Sequence, residues 1–464
     1  MPKPFQRVLV IGIDCATPRF LFGPDRFDLP HLQRLASAGC WGRLESCHPP
    51  ITVPAWASMM SSKDPGTLGL YGFRNRKDHS YDGMFTANAS AVKEPRVWDI
   101  LSRAGKKVVV LGVPQTYPPR PVNGWLVTGF LAPSTDVDYT YPKTLKAELE
   151  QAIGEYILDV KDFRTDDKDR LRDQLFAMLD NRFDAAQYLM NDKPWDFFMM
   201  VEMGADRLHH GFWRYCDPQH PKFEPGNPYE NLLRDYYQAL DRHVGDLLRN
   251  VGDETAVMVV SDHGAKSMTG GVCVNQWLIE EGLLTLERPV DKVTRFEECT
   301  VDWSKTKAWS SGGYYARVFF NVAGREPQGI IPAESYEAFR DEMVARIEGM
   351  CGPDGAPMGN RALKPKDIYR QVNGVAPDLI VYFGDLDWRS VGAVGFDSVY
   401  TFENDTGPDD ANHDHYGIFI LDDRSGRGGV EMTGLQLMDV APTVLGLFGM
   451  DVPADMQGRA VLSS

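Results

Sequence analysis

The sequence predicts an α/β protein: a doubly wound, mostly parallel sheet sandwiched by helices, with an inserted lobe. Three observations lead there. Strand-like apolar runs alternate with helix-periodic segments, the pattern of a parallel sheet covered on both faces. The runs "RVLVIGI" and "AVMVVS" are each followed by an aspartate, Asp14 and Asp262. In open α/β sheets, ligands bind beyond the carboxyl ends of the strands. Finally, residues 287–410 separate Asp262-His263 from His413, which marks that stretch as an insertion.

In chain order, the apolar runs predict strands at 7–13, 107–113, 196–201, 255–261, 378–383 and 416–421. Helices are expected at 29–38, 95–104, 143–153, 167–190, 231–249 and 335–349. The periodicity is clearest in 231–249, where Leu232, Leu233, Tyr236, Tyr237, Leu240, Val244, Leu247 and Leu248 recur on one face. Residues 114–142, rich in proline and aromatics, read as an irregular loop. The expected organisation is a core of 1–286 and 411–464, with 287–410 inserted to shape a substrate pocket. No internal repeat, low-complexity tract or long linker is visible.

The chemistry is carried by three clusters and two further segments. Asp206 and His210 stand four apart in "GADRLHHGFW", a spacing that puts both on one helix face and within reach of one ion. Asp262 and His263 follow a strand and precede Gly264, so a turn there lets both converge. His413 lies in "ANHDHYGIF", Asp14 closes the first strand, and Thr52 lies in "PPITVPAWASMM". Carboxylate and neutral imidazole suit Zn²⁺ or Mn²⁺. A pair of such ions can clamp the attacking and leaving oxygens of a displacement at phosphorus. The set therefore points to a metal-dependent phosphohydrolase. Each cluster alone is weak evidence; their joint placement at strand ends is not.

Thr52 has its own argument. Pro54 opens a helix-compatible stretch, and proline favours the first helical position. Thr52 is then at or just before a helix N-terminus, where free N–H groups and the dipole attract phosphate. A threonine hydroxyl needs a metal to act as a nucleophile near neutral pH. Without the metal clusters, an ordinary N-cap threonine would be the better reading.

The bland readings stand beside these. His31, His48, His79, His220 and His243 are read as surface or hydrogen-bonded residues. His210 is preferred to His209 because only it is four residues from Asp206; His209 is expected to pack or hydrogen-bond behind the site. Cys15, beside Asp14, is a rival nucleophile without a motif and is read as a buried packing residue.

These residues resemble the alkaline phosphatase superfamily, and within it the type I phosphodiesterase/nucleotide pyrophosphatase branch. The resemblance implies that Thr52 is the nucleophile. It implies that Asp206, His210 and His413 hold one metal, and that Asp14, Asp262, His263 and Thr52 hold the other. His413 is chosen over His415 because family members place a glycine four residues after the ligand, as Gly417 stands here. The tail "DVAPTVLGLFGMDVPADMQGRAVL" resembles the family's closing helix and strand. "NVAGREPQGII" resembles an insert of prokaryotic phosphohydrolase and phosphomutase members. The branch also implies an asparagine for the phosphoryl oxygens, for which "YGFRNRKD" offers Asn75, one residue out of register, with Arg76 and Lys77 behind it. Sulfatases of the superfamily carry Cys or Ser followed four residues on by Arg. Here Trp56 follows Thr52, which argues against their formylglycine chemistry.

The expected activity is a two-metal phosphodiesterase acting through a phospho-threonine, with zinc the first choice of metal and manganese the second. A phosphomonoesterase or phosphomutase is the alternative, and a non-catalytic metal-stabilised binding protein the more remote one. A formal charge of −16 argues against nucleic acid or an anionic membrane as a standing partner. Small phosphoesters can still be drawn in by bound cations. Seven cysteines without a CxxC pair fit a reducing compartment. No leader-like apolar stretch precedes the first strand, and no run approaches the roughly 18 apolar residues of a membrane span. A cytoplasmic protein with a small-molecule phosphoester substrate is expected, and homo-oligomerisation is left open.

Overall fold

Arg7–Ile13 is apolar at almost every position, as a strand covered on both faces must be. It lies in the middle of a nine-stranded sheet, and the computed structural model describes residues 4–462 of the chain. Across the sheet the strands are Val430–Gln436, Cys40–Glu45, Tyr416–Asp422, Thr255–Val260, Arg7–Ile13, Phe197–Glu202, Val108–Leu111, Gly124–Val127 and Thr140–Tyr141. Tyr416–Asp422 and Thr140–Tyr141 run antiparallel to their neighbours, and the remaining pairings are parallel. The sheet is thus mixed but mostly parallel.

Alternation along the strands divides the core in two. Leu9, Ile11 and Ile13 face the helices Pro30–Ala38, Lys168–Asp192, Gly204–Cys216 and Leu232–Leu248. Val8 and Val10 face Thr52–Ser61, Val97–Arg103 and Val440–Leu447. Each such side chain, fully buried, contributes roughly 1.5–3 kcal/mol relative to exposure. Helices on both faces make the sheet doubly wound, as expected. No helix among the described residues is long and apolar enough to cross a membrane.

Three departures have local causes. The strand expected at 378–383 forms as Leu379–Tyr382 but lies outside the main sheet. It pairs antiparallel with Ala316–Phe320 and Arg361–Leu363 in a separate four-stranded sheet. Gly124–Val127 and Thr140–Tyr141 are strands inside the stretch expected to be irregular. Gly124 is required there, because a Cβ would meet the Val108 carbonyl oxygen at 2.0 Å with φ at +155°. Close approach of two strands thus hides behind a residue that reads as a loop former. Third, Gly270–Cys273 pairs with Trp388–Val391 and Tyr400–Thr401. The small sheet formed by the 287–410 segment therefore includes a strand that precedes it.

Candidate active site

Strand ends and helix starts deliver the predicted metal-binding residues to one place. Asp14 follows the strand Arg7–Ile13, and Asp262 and His263 follow Thr255–Val260, its parallel neighbour. Phe197–Glu202, on the other side, feeds the helix Gly204–Cys216 that carries Asp206 and His210. Glu202 fixes that helix start by accepting the N–H groups of Gly204 (2.5 Å) and Ala205 (3.1 Å) and the hydroxyl of Tyr236 (2.9 Å). His413 lies on Ala411–Asp414, paired with Gly264–Ser267, so His413 stands opposite Ala265.

Thr52 stands at the N-terminus of its helix, as expected, although Pro54 is not the first helical residue. The helix runs Thr52–Ser61 with Ile51 at the N-cap, so Pro54 is the third helical residue. A missing N–H is harmless anywhere in the first turn. Among the described residues, no side chain caps this helix, so its first N–H groups remain available to an anion. Trp56, one turn on, donates its indole N–H to Asp14 Oδ2 at 2.7 Å. Gly12 makes room for that ring, since a Cβ would come within 2.5 Å of it. The helix of Thr52 is thereby tied to the strand of Asp14.

The inner geometry has one repeated feature. His263 Nδ1–H donates to the Gly264 carbonyl (3.1 Å) and His413 Nδ1–H to the Pro50 carbonyl (2.9 Å). His210 Nδ1–H donates to Asp409 Oδ1 (2.9 Å). Each ring is thus held by its Nδ1 and presents Nε2 inward, the tautomers following from these partners. The carboxylates are arranged likewise. Asp14 Oδ2 takes Trp56, Asp262 Oδ1 takes the Cys15 N–H (3.2 Å), and Asp206 Oδ2 takes Arg207 (2.8 Å). The second oxygens, Asp14 Oδ1, Asp262 Oδ2 and Asp206 Oδ1, are buried without a hydrogen bond. His263 Nε2 lies 3.1 Å from Asp262 Oδ2 and 3.8 Å from Asp14 Oδ1. Asp206 Oδ1 lies 3.3 Å from His210 Nε2 and 3.7 Å from His413 Nε2. Thr52 Oγ1 is 3.3 Å from His263 Nε2.

Three orphaned carboxylate oxygens facing three imidazole nitrogens, all buried, fit divalent cations. The ligand atoms of Asp206, His210 and His413 lie within 4.8 Å of one another, as do those of Asp14, Asp262 and His263. Without cations, the groups substitute for each other's missing charge. Burial raises the Asp14 carboxyl, and Asp262 and Asp206 raise it further. Burial pulls His263 down, but Asp262 and Asp14 outweigh it and lift the ring to about 9. Bound metal replaces such protons.

The histidines set aside in the sequence lie elsewhere. His209 stacks among Phe20, Trp213 and Tyr237, with Tyr237 Oη 3.2 Å from its Nε2. His415 pairs with Asp385 at 3.1 Å. Cys15 is buried in the core just past the first strand, as expected, and its sulfur also lies within 4.8 Å of ring nitrogens of both His263 and His413. Burial and the carboxylates of Asp206, Asp14 and Asp262 push its thiol well up, against a role as nucleophile.

The substrate contacts expected of Asn75 and Arg76 find no support in this geometry. Asn75 accepts the Tyr71 N–H (2.7 Å) and donates to the Gly72 carbonyl (2.9 Å), tightening its own turn. Arg76 is buried beside Glu326 (3.4 Å), with the rings of Trp309 and Phe319 about 5 Å away. Its sequence neighbours gave no hint of those partners.

Sequence reading missed the supports behind the site. Asp409 accepts His210 on one oxygen, and Tyr314 (2.8 Å) and Arg164 (2.9 Å) on the other. Tyr314, from the loop that leads into the strand Ala316–Phe320, stacks on His210 and His413 with ring centroids at 4.7 and 4.5 Å. Asp409 stands in "DDANHDH", four residues before His413, and that proximity was the available signal. Tyr314 carries none. Partners of this kind typically alter metal affinity or activity 10–100-fold. Asp409→Ala is expected to weaken manganese uptake by about that factor, read by titration of metal-stripped protein. Unchanged affinity would reduce Asp409 to a packing role.

A family model described as type I phosphodiesterase / nucleotide pyrophosphatase matches residues 8–409. The fold is similar to human ectonucleotide pyrophosphatase/phosphodiesterase 5, at 13% identity and TM-score 0.55, over 97% of this chain and 96% of that one. It is similar to an inactive form of the murine protein in complex with AMP, at 12% identity and TM-score 0.57, over 97% and 96%. Phosphonoacetate hydrolase from Sinorhizobium meliloti 1021, in complex with phosphonoformate, aligns at 15% identity and TM-score 0.59, over 94% of each chain. At these identities the likeness is one of fold. No curated protein sequence matches the chain.

Proposed function

The chain belongs to the type I phosphodiesterase/nucleotide pyrophosphatase family, phosphoester hydrolases of the alkaline phosphatase superfamily, and on that premise we propose that it is a two-metal phosphodiesterase acting through a phospho-threonine. The observation that carries this is the ring of orphaned carboxylate oxygens and inward Nε2 atoms around Thr52. Asp206, His210 and His413 would hold one divalent ion; Asp14, Asp262, His263 and Thr52 would hold the other. When bound, such ions, zinc first and manganese second, supply charge stabilisation to the attacking and leaving oxygens.

The chain's own residues do the rest. Thr52 Oγ1 gives up its proton to solvent and bonds to phosphorus in line as the phosphorus–leaving oxygen bond breaks, giving a phospho-threonine that still carries the second ester group and an alkoxide that takes a proton from solvent. Water then cleaves the phospho-threonine and restores the hydroxyl. The first N–H groups of the Thr52 helix meet charge on the phosphoryl oxygens. Trp56 and the Cys15 N–H keep Asp14 and Asp262 turned inward. Burial of the cluster excludes bulk water, which strengthens these interactions. A full ligand set and an intact Thr52 argue against a non-catalytic descendant. The seven cysteines, all free, support a reducing, cytoplasmic setting.

The basic residues favour a diester over a monoester. A terminal phosphoryl dianion is best held by an arginine free to bind two of its oxygens. Arg207 is engaged by Asp206 and Asp159, Arg164 by Asp409 and Tyr314, Arg76 by Glu326 and Lys266 by Asp387. The expected result is a higher kcat/KM for bis-(p-nitrophenyl) phosphate than for p-nitrophenyl phosphate on one preparation. A monoester preference above about tenfold, roughly 1.4 kcal/mol of transition-state binding, would turn the assignment to a phosphatase or mutase.

A further inference from the structure

Cys15 has no part in the hydrolytic reading, yet it stands in the middle of the site. It follows Asp14 in a left-handed backbone conformation (φ 65°) that turns the chain beneath the cluster. Its thiol donates to the Gly264 carbonyl at 3.3 Å. The sulfur is grouped with ring nitrogens of His263 and His413, all within 4.8 Å of one another and all buried. Because Gly264 and Pro50 engage the Nδ1 atoms, the Nε2 atoms are the ones left to bind.

We propose that Cys15, His263 and His413 form a third, soft coordination site for a thiophilic cation of the cadmium, mercuric or cuprous class. Thiolate selects soft ions, carboxylate oxygens select hard ones, and imidazole accepts both. The two rings are therefore shared ground on which the sulfur decides the preference. On the two-metal reading, on which this consequence rests, His263 and His413 belong to different ions. A soft cation seated between them thus takes one ligand from each. Binding replaces the S–H proton by a sulfur–metal bond and releases that proton to solvent; no electron is transferred. No other cysteine among the described residues joins such a group, so the effect belongs to this position.

Cadmium titration of the metal-stripped full-length protein tests this through the ultraviolet thiolate-to-cadmium charge-transfer band. The first equivalent should raise the band in the wild type and fail to do so in Cys15→Ala and Cys15→Ser. The conservative serine variant should still take up manganese, which shows that it is folded. In the manganese-loaded wild type, one cadmium should release both manganese ions. A band that persists in both variants, or cadmium uptake by the wild type without a band, would overturn the soft site. Failure of the wild type to bind two manganese ions would count against the two-metal reading alone, because the charge-transfer band reports the sulfur independently.

Discussion

Replacing Thr52 by alanine is expected to lower phosphodiester hydrolysis by about 10³-fold or more, because it removes the nucleophile and with it the covalent route. The side chain is almost wholly buried, and its hydroxyl lies 3.3 Å from His263 Nε2. It also opens the helix that Trp56 fastens to Asp14. The fold should survive, since alanine is the best helix former and the change removes only a hydroxyl and a methyl group. Circular dichroism and the thermal midpoint check that survival. Thr52→Ser keeps an oxygen at the same place and should retain far more activity than the alanine variant. Rapid quenching of the wild type with a diester labelled at phosphorus should trap the phosphoryl group, still esterified to its second alcohol, on Thr52. Near-normal turnover by Thr52→Ala would sink the phospho-threonine route. Direct attack by water, or by the thiol of Cys15, would then be the alternatives, and a Thr52→Ala, Cys15→Ala double variant separates them.

Legibility in the sequence followed the range of the interaction. Arg7–Ile13 and Thr255–Val260 were readable because each is a continuous apolar run ending at an aspartate. Asp206 and His210 were readable because helical spacing alone puts them on one face. Gly124–Val127 was not, because its glycine answers to Val108 on the neighbouring strand rather than to a turn. Thr52 was readable as the start of its helix, although Pro54 stands third rather than first in it, because proline is tolerated throughout a first turn. Asn75 and Arg76 looked available in their own loop. Glu326, which engages Arg76, lies 250 residues away, and no local pattern reports it. The same holds for Tyr314, which comes from a segment about 100 residues distant in sequence from both histidines to lie on His210 and His413. Ligands announce themselves by residue type and spacing; the residues that orient them depend on tertiary placement.

Removing divalent cations is expected to abolish hydrolysis and to lower the thermal midpoint, and both should return when the metal is restored. The stability effect follows from the three carboxylates. Asp14, Asp206 and Asp262 are buried, and each turns inward an oxygen that makes no hydrogen bond. Burying charge costs several kcal/mol per ion even after relaxation; Arg207 offsets part of it at Asp206, and like charges nearby add to it. Protonation relieves part of it, which is why burial and the other two carboxylates hold the Asp14 carboxyl above its ordinary range. A divalent ion relieves more, because it meets carboxylate and imidazole together. A ligand at a thousand times its dissociation constant stabilises the native state by about 4 kcal/mol per site, enough to move the midpoint by several degrees. Elemental analysis of protein purified without chelator should find about two equivalents, as two groups of three or four ligands require. Asp262→Ala and Asp206→Ala should each lose one equivalent, because they belong to different groups. Full activity in verified metal-free protein would defeat the two-metal assignment. A midpoint unchanged by chelation would mean instead that the orphaned oxygens are satisfied by protons alone.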